Sequence, residues 1–201
     1  MTDSARVILL TGPSGSGKSS LAARTGLPVL RLDDFYKNAG DPSLPAFPDG
    51  ATDWDSPQSW DADAAMRAVR ELCTHGATTA PVYDISVSAQ KGTAELHLDG
   101  SPLFVAEGIF AAQIAARCAE DRLLADALCL RGRPSTTFRR RLVRDVREGR
   151  KSLPVLLRRG WRLMRAEPGI VRDLAALGAR PCGKREALAA IAAAEDVRST
   201  V

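Results

Sequence analysis

Residues 12–19 read GPSGSGKS, which is the pattern G-x-x-x-x-G-K-S of a phosphate-binding (Walker A) loop. An apolar run at residues 7–10 precedes the loop, and a helix-compatible stretch at residues 19–24 follows it. The glycines let successive backbone N–H groups point at phosphate oxygens, and the N-terminus of the helix adds its positive end. This strand–loop–helix context predicts a binding site for a nucleoside triphosphate.

The candidate nucleotide contacts are the residues of this loop together with the next one: Gly12, Pro13, Ser14, Gly15, Ser16, Gly17, Lys18, Ser19 and Ser20. We expect Lys18 to reach the β- and γ-phosphates as a catalytic residue, and the Ser19 hydroxyl to ligate Mg²⁺. The other interpretation is a turn rich in glycine and serine that matches by accident. The joint presence of strand, spacing, lysine and serine disfavours it.

The composition and the charge distribution of the chain indicate which class of protein to expect. The chain has 201 residues, of which 45% are hydrophobic and 26% are charged, as in an ordinary globular domain. Its formal net charge is +4, but basic residues concentrate at 131–151 whereas residues 33–63 are acidic. A polyanionic nucleotide explains such a local cluster better than a nucleic-acid footprint does, so no nucleic-acid partner is expected.

The four cysteines, Cys73, Cys118, Cys129 and Cys182, lie far apart and form no C-x-x-C pair. This disfavours a zinc site and favours reduced, buried thiols. No apolar leader precedes the phosphate-binding loop, and no apolar run reaches the length of a membrane span. We therefore expect a cytoplasmic protein without a membrane partner.

Apolar and periodic segments alternate along the chain. Apolar runs predict strands at 7–10, 29–32, 103–106 and 127–130, and periodic segments predict helices at 19–25, 59–73, 109–122 and 135–148. The alternation predicts an α/β three-layer sandwich, in which helices flank a parallel sheet and ligands bind at the carboxyl ends of the strands. Two segments interrupt it: the proline-rich residues 40–57 predict a long surface loop over the site, and residues 79–99 predict a small β-hairpin arm.

Carboxylates follow two of the predicted strands. Asp33 and Asp34 follow the second strand, and Glu107 follows the third. We expect Asp33, rather than Asp34, to accept a proton from an acceptor hydroxyl or to help hold Mg²⁺, although a helix cap or a solvated turn is the alternative role of the pair. A carboxylate that ends a buried strand is costly unless it meets a cation, which favours Mg²⁺ as the partner of Glu107. The expected metal ligands are Ser19, Glu107 and Asp33.

Residues 138–152 read FRRRLVRDVREGRKS and predict a basic helix within a lid at about 134–152. Arg140 and Arg144 are four residues apart and share a helical face, and Arg141 neighbours Arg144. Such a helix would close over the nucleotide, with Arg140 on the nucleotide and Arg144 neutralising the phosphoryl group in transfer. A solvated basic face is the alternative.

Six motifs occur in the order and approximate spacing of the uridine kinases: GPSGSGKSS (12–20), LDDFYK (32–37), DWDSPQSWD (53–61), PVYD (81–84), VAEGIF (105–110) and RRLVRDVREGRKS (140–152). The tail at 167–191 is similar to the end of those enzymes, where a Pro-x-Gly turn near the adenine precedes a terminal helix. The chain thus resembles a uridine kinase-like kinase of the group that includes phosphoribulokinase and nicotinamide riboside kinase. The resemblance covers nearly all of residues 1–201, which we expect to form a single kinase domain.

The resemblance implies a five-stranded parallel core, ATP or GTP as donor, Mg²⁺, and transfer to a primary hydroxyl of a small molecule. It gives Asp33 the position of the catalytic base and Asp55 that of the carboxylate that holds ribose hydroxyls. Trp54 matches an aromatic residue that packs on the nucleoside, and Tyr83 matches a tyrosine that contacts the base. Arg141 and Arg144 match lid arginines that reach the substrate or phosphates. Tyr36 of LDDFYK is a further candidate for substrate binding.

The chain departs from the family after PVYD, where residues 85–90 read ISVSAQ. Ser88 stands where the family has the histidine that would recognise uracil, and His75 and His97 do not fall at that position. The lid also reads EGRKS where the family often has ERGRS. The machinery for phosphoryl transfer is therefore expected to be intact, while the recognition of the base is altered.

Three functions follow from these residues. The first is a uridine/cytidine kinase-like enzyme that phosphorylates a nucleoside. The second is a kinase of a non-pyrimidine small molecule such as nicotinamide riboside, a vitamin precursor or a specialised metabolite. The third is a non-catalytic, nucleotide-binding regulatory protein, which the retention of Lys18, Ser19, Asp33 and Glu107 disfavours. The sequence leaves the oligomeric state open, a homo-oligomer included.

Overall fold

The computed structural model describes residues 4–132 and 153–199. The strands are β1 (Arg6–Thr11), β2 (Val29–Arg31), β3 (Ala77–Asp84), β4 (Ala89–His97), β5 (Leu103–Glu107), β6 (Leu124–Leu130) and β7 (Arg180–Cys182). The α-helices are α1 (Lys18–Ala22), α2 (Ala62–His75), α3 (Ala115–Glu120), α4 (Leu153–Ala176) and α5 (Lys184–Ser199). Three short 3₁₀ helices span Leu32–Phe35, Pro57–Ser59 and Ala111–Ile114.

Five of the strands form one parallel sheet in the order β2-β5-β1-β6-β7. The central strand β1 pairs with β5 on one side and β6 on the other, and all five residues of β5 are buried. Such continuous burial is typical of a parallel strand that is covered on both faces. The predicted α/β class, the parallel sheet and the four predicted strands are confirmed.

Helices cover the two faces of this sheet. Alternate residues of β1 belong to different clusters: Val7 and Leu9 pack with residues of α2 such as Met66, whereas Ile8 and Leu10 pack with Leu21 and with residues of α5. This separation follows from the two-residue period of a strand. The result is the predicted sandwich of helix, sheet and helix.

The four cysteines are buried and form no disulfide bonds, as predicted. Cys129 and Cys182 lie on the adjacent strands β6 and β7 but belong to different hydrophobic clusters, on opposite faces of the sheet. Burial raises the pKa of Cys118 to about 12 and that of Cys129 to about 11. Both thiols are therefore protonated at neutral pH and act as small apolar side chains.

Several boundaries differ from the sequence prediction. Strand β2 ends at Arg31, so Asp33 lies in a 3₁₀ helix and not directly after the strand. The predicted helix at 109–122 is a 3₁₀ turn followed by the six-residue α3. Strand β7 was not predicted from the pattern, because three residues with a central proline carry little periodicity. The helix predicted at 135–148 lies outside the described residues.

The arm predicted at 79–99 is present as the antiparallel pair β3 and β4. It begins at Ala77, and its turn is formed by residues 85–88. Residues 40–56 hold turns and one isolated bridge between Ala46 and Thr52, in agreement with the predicted loop. Within residues 4–132 and 153–199, no helix is both long enough and apolar enough to cross a membrane.

Candidate active site

The phosphate-binding loop connects β1 to α1 and depends on glycine. Gly12, Gly15 and Gly17 have φ values of 139°, 84° and 97°, in the region that side-chain-bearing residues avoid. Gly12 is also limited by space, since a Cβ atom there would lie 2.4 Å from the carbonyl oxygen of Leu130 at the end of β6. The shape of the loop is therefore dictated by the glycines that the motif predicts.

Lys18 begins α1 and is buried, with 6% of its surface exposed. Its Nζ donates a hydrogen bond of 3.0 Å to the carbonyl oxygen of Gly12 at the other end of the loop. The ammonium group thus lies inside the loop, where phosphate oxygens held by the loop's N–H groups would be within its reach.

The other loop residues take different environments. Pro13 accepts the N–H of Ser16 at 3.1 Å, which closes a turn within the loop. Ser16 is 3% exposed, and its hydroxyl makes no hydrogen bond among the described residues. Ser19 and Ser20 are exposed at the start of α1, and Ser14 is half-buried.

Glu107 ends β5 and faces the phosphate-binding loop. Ser19 Oγ donates a hydrogen bond of 2.8 Å to Glu107 Oε1. The residue is only 4% exposed, and its Oε2 atom has no hydrogen-bond partner among the described residues. Burial raises the pKa of Glu107, the hydrogen bond from Ser19 and the charge of Lys18 lower it, and Asp33 raises it.

This arrangement fits a magnesium ion. A buried carboxylate oxygen without a partner is costly, and a cation beside it would offset that cost. Across residues 4–132 and 153–199, no group of three or more histidine, cysteine, aspartate or glutamate side chains is placed to hold a metal. Mg²⁺ needs no such cage, because it commonly takes one or two protein ligands together with substrate phosphates and water.

Asp33 lies beside the segment that follows Glu107. Its Oδ1 accepts the backbone N–H of Ile109 at 2.9 Å. Gly108 makes this approach feasible, since a Cβ atom there would lie 2.8 Å from Asp33 Oδ1 and 2.9 Å from Leu32 Cβ. Asp33 is half-buried and is close enough to Glu107 to raise the pKa of that carboxyl group. The structure therefore brings together the three segments that the sequence singled out: the loop, Asp33 and Glu107.

Aromatic side chains cluster around Tyr36. The ring of Tyr36 lies 6.0 Å from Trp54, 5.7 Å from Tyr83 and 5.8 Å from Phe110, measured between centroids. Tyr36 also donates a hydrogen bond from its hydroxyl to the carbonyl oxygen of Trp54 at 3.1 Å. Three predicted substrate residues are thus neighbours. Phe110 was missed as a site residue, although its motif VAEGIF was noted.

Asp55 follows Trp54 and is exposed, and its backbone N–H bonds to Asp53 Oδ1 at 3.1 Å. Its exposed side chain belongs to the proline-rich loop. The predicted role in holding sugar hydroxyls stays a prediction.

Ser88, at the position of the family's uracil-reading histidine, ends the turn of the arm with φ of 51°. Its carbonyl oxygen accepts the N–H of Ala39 at 2.7 Å. Burial raises the pKa of Tyr83, and the nearby Ser88 side chain lowers it. The Tyr83 hydroxyl in turn donates to the carbonyl oxygen of Lys37 at 3.2 Å. His75 and His97 are exposed, and His97 pairs with Glu95 at 3.2 Å on the arm. Neither histidine replaces the missing group.

The predicted lid, including Arg140, Arg141 and Arg144, lies in residues 133–152, outside the described part of the chain. The roles predicted for these arginines stay predictions.

No protein-family model matches the chain. A curated uridine kinase of Clostridium tetani (strain Massachusetts / E88) is 25% identical over 158 residues, which is 73% of this chain and 71% of that protein. A uridine kinase of Schizosaccharomyces pombe is 32% identical over 113 residues, which is 53% of this chain and only 25% of that larger protein.

Among solved structures, a protein of Silicibacter sp. TM1040 named "putative fructose transport system kinase" superposes with a TM-score of 0.60. It is 17% identical, and the match covers 89% of this chain and 87% of that one, so it bears on the fold alone. The resemblance predicted from the motifs is confirmed by these findings: the chain is similar in sequence to curated uridine kinases, and its fold is similar to that of a solved structure named as a kinase.

Proposed function

We propose that the chain is a phosphotransferase that moves the γ-phosphoryl group of ATP or GTP to a hydroxyl group of a nucleoside-like small molecule, with Mg²⁺ as cofactor. The observation that carries this proposal is the convergence of Lys18, Ser19, Asp33 and Glu107 at the carboxyl ends of the neighbouring strands β1, β5 and β2. Its relatives are named as kinases, and the retained set of residues supports turnover.

The nucleotide would bind with its phosphates in the loop between β1 and α1. Backbone N–H groups and Lys18 contact the phosphates there. Ser19 and Glu107 have the oxygen atoms that would hold Mg²⁺, which supplies positive charge to the phosphates. Exclusion of the second Glu107 oxygen from solvent supports this assignment.

Asp33 would accept the proton of the acceptor hydroxyl as the hydroxyl oxygen bonds to the γ-phosphorus. The bond between that phosphorus and the bridging oxygen breaks, and the nucleoside diphosphate leaves. The N–H of Ile109 holds one oxygen of Asp33 at 2.9 Å and so orients the carboxylate. The lid arginines, with Arg144 foremost, would neutralise the transferred group.

The acceptor would bind against the cluster of Tyr36, Trp54, Tyr83 and Phe110. Aromatic faces suit the flat ring of a nucleoside base, and the adjacent Asp55 suits the hydroxyl groups of its sugar. This pair of features supports a nucleoside or a similar glycoside as acceptor.

A second candidate is a kinase of a non-pyrimidine acceptor such as nicotinamide riboside. It is favoured by Ser88, which stands at the position of the family's histidine, and by the Tyr83 hydroxyl, which donates to the carbonyl oxygen of Lys37 at 3.2 Å. The hydroxyl of Tyr83 is therefore already engaged within the protein. A uracil edge would have to compete with that internal hydrogen bond, whereas an acceptor recognised by ring contact alone would not.

The test is a panel of candidate acceptors incubated with Mg²⁺ and ATP or GTP, in which mass spectrometry detects the gain of one phosphate. Uridine, cytidine, purine nucleosides, nicotinamide riboside and pantothenate form the panel. A product from uridine or cytidine supports the first candidate, and a product from nicotinamide riboside or pantothenate alone supports the second. Tight nucleotide binding without a product from any hydroxylated acceptor would favour a regulatory protein.

A further inference from the structure

The second carboxylate of the Asp33–Asp34 pair is buried, and the mechanism proposed above gives it no role. Asp34 is 8% exposed. Both residues lie in the 3₁₀ helix Leu32–Phe35, in which successive side chains point about 120° apart. Asp33 can therefore face the end of β5 while Asp34 faces another part of the fold.

That other part is the hairpin arm. The backbone N–H of Tyr83 in β3 lies near enough to the Asp34 carboxylate to lower the pKa of that group. Arg31, at the end of β2, lies 3.5 Å from Asp34 Oδ2 through its Nε atom. Burial raises the pKa of Asp34, and the Arg31 charge and the Tyr83 N–H act against that rise. One carboxylate thus contacts the sheet and the arm together.

The residues that follow Asp34 continue this attachment. The Lys37 carbonyl oxygen accepts the Tyr83 hydroxyl at 3.2 Å, and Asn38 Oδ1 accepts the N–H of Gln90 at 2.7 Å. The Ala39 N–H donates to Ser88 at 2.7 Å. We call residues 34–39 the tether; it bonds to both strands of the arm and to the turn between them.

We propose that Asp34 is a positioning residue, which fixes the arm against the 3₁₀ helix and thereby sets the distance between the acceptor pocket and the Asp33 carboxylate. The inference rests on the proposed function, because it concerns the acceptor side of that site. Asp34 and Asp33 are consecutive, so a displacement of one is passed directly to the other. A misplacement of reacting groups by about 1 Å is enough to lower a rate about 100-fold.

The variants are Asp34→Ala, which removes both carboxylate oxygens of the side chain, and Asp34→Asn, which keeps one oxygen that can face the Tyr83 N–H. Glu95→Ala is the matched control, since Glu95 is a carboxylate on the same arm that pairs with His97 and not with the tether. The first measurement is hydrogen exchange of arm peptides from residues 77–97 in the nucleotide-free protein. In Asp34→Ala, the Tyr83 and Gln90 amides are expected to exchange at least tenfold faster than in the unmodified chain. The increase should be much smaller in Asp34→Asn, and Glu95→Ala should leave the exchange rates unchanged.

The second measurement is steady-state kinetics. Asp34→Ala is expected to raise the acceptor KM and lower kcat about 10- to 100-fold while the nucleotide affinity stays unchanged, and Asp34→Asn is expected to recover most of both. Unchanged exchange in Asp34→Ala would overturn the inference whatever the activity. Loss of kcat in Asp34→Asn as complete as in Asp33→Asn, with normal exchange, would make Asp34 the base and would also overturn it. Absence of turnover in the unmodified chain with every acceptor contradicts the proposed function instead, and the exchange data still decide whether Asp34 holds the arm.

Discussion

The Ser19 hydroxyl donates a hydrogen bond of 2.8 Å to Glu107 Oε1, between residues 88 positions apart in the chain. The parallel pairing of β1 with β5 sets this contact, because Leu10 lies opposite Glu107 in the register. Because β1 and β5 are parallel, the start of the phosphate-binding loop and the Glu107 carboxylate lie at the same edge of the sheet. The proposed metal site would therefore depend on the register of the sheet as well as on the loop that places Ser19.

Replacement of Glu107 by glutamine is expected to stabilise the protein in EDTA while abolishing Mg²⁺-dependent turnover. Burial raises the pKa of Glu107 above its ordinary value of 4.5, so ionisation costs folding free energy in the native state. The unmodified chain is free of that cost below pH 4.5 and bears it increasingly as pH rises through the raised pKa. Urea unfolding in EDTA from pH 5 to pH 8 should show an advantage of Glu107→Gln that grows with pH. An advantage that shrinks over this range would contradict the assignment.

The substitution Gly108→Ala is expected to leave the chain folded but to lower kcat strongly. The added Cβ would lie 2.8 Å from Asp33 Oδ1 and 2.9 Å from Leu32 Cβ, so Asp33 must move. Overpacking of this kind costs about 1–3 kcal/mol of stability. Thermal melts and initial rates check both effects.

The control for Gly108→Ala is Gly169→Ala in α4, where an added Cβ would meet no atom of the described residues within 4 Å. That helical change should raise stability by about 0.5–1 kcal/mol and leave kcat unaltered. Equal kcat values in the two variants would mean that Asp33 does not need its observed position.

Lys18→Ala is expected to lose both turnover and the thermal stabilisation that Mg²⁺-ATP gives to the unmodified chain. Lys18 lies inside the phosphate-binding loop with its Nζ 3.0 Å from the Gly12 carbonyl oxygen, where the phosphates of a bound nucleotide would be within its reach. The stabilisation by a ligand follows its concentration relative to Kd, which a melt series over ATP concentration measures. Normal ATP-dependent stabilisation and rates in Lys18→Ala would refute the assignment of the loop.

Asp55→Ala is expected to raise the acceptor KM at least several-fold, with a smaller effect on kcat. Asp55 is exposed beside Trp54, so its removal should not disturb packing. Asp49→Ala is a control in the same loop, where the Asp49 carboxylate accepts the N–H of Ala51 at 3.0 Å. If the acceptor KM is the same in both variants, Asp55 does not hold the sugar.

Much of this fold could be predicted from local sequence. Three features each depend on a few consecutive residues and are found where the pattern predicts: the glycines of residues 12–19, the apolar runs of β1, β5 and β6, and the carboxylate at the end of β5. The end of β2 was misplaced because Leu32 continues the apolar run, although its side chain belongs to the 3₁₀ helix. Tertiary packing decides such boundaries.

The remaining features depend on contacts between distant segments, which no local pattern reveals. The aromatic cluster joins Tyr36, Trp54, Tyr83 and Phe110 from four separate segments, and only the first three were predicted. The burial of Asp34 was also missed, because its partner Tyr83 lies about fifty positions along the chain. Asp34 was considered only as the weaker candidate for the base.

The most direct test of the proposed phosphotransferase is acceptor-dependent release of ADP or GDP by the unmodified chain and by Asp33→Asn, together with nucleotide affinity from equilibrium titration. With an acceptor found in the panel, the proposal predicts that Asp33→Asn binds the nucleotide normally and loses at least two orders of magnitude in kcat. A kcat in Asp33→Asn within a few-fold of the unmodified chain would contradict the assignment of Asp33 as the base, and with it the mechanism proposed for this site.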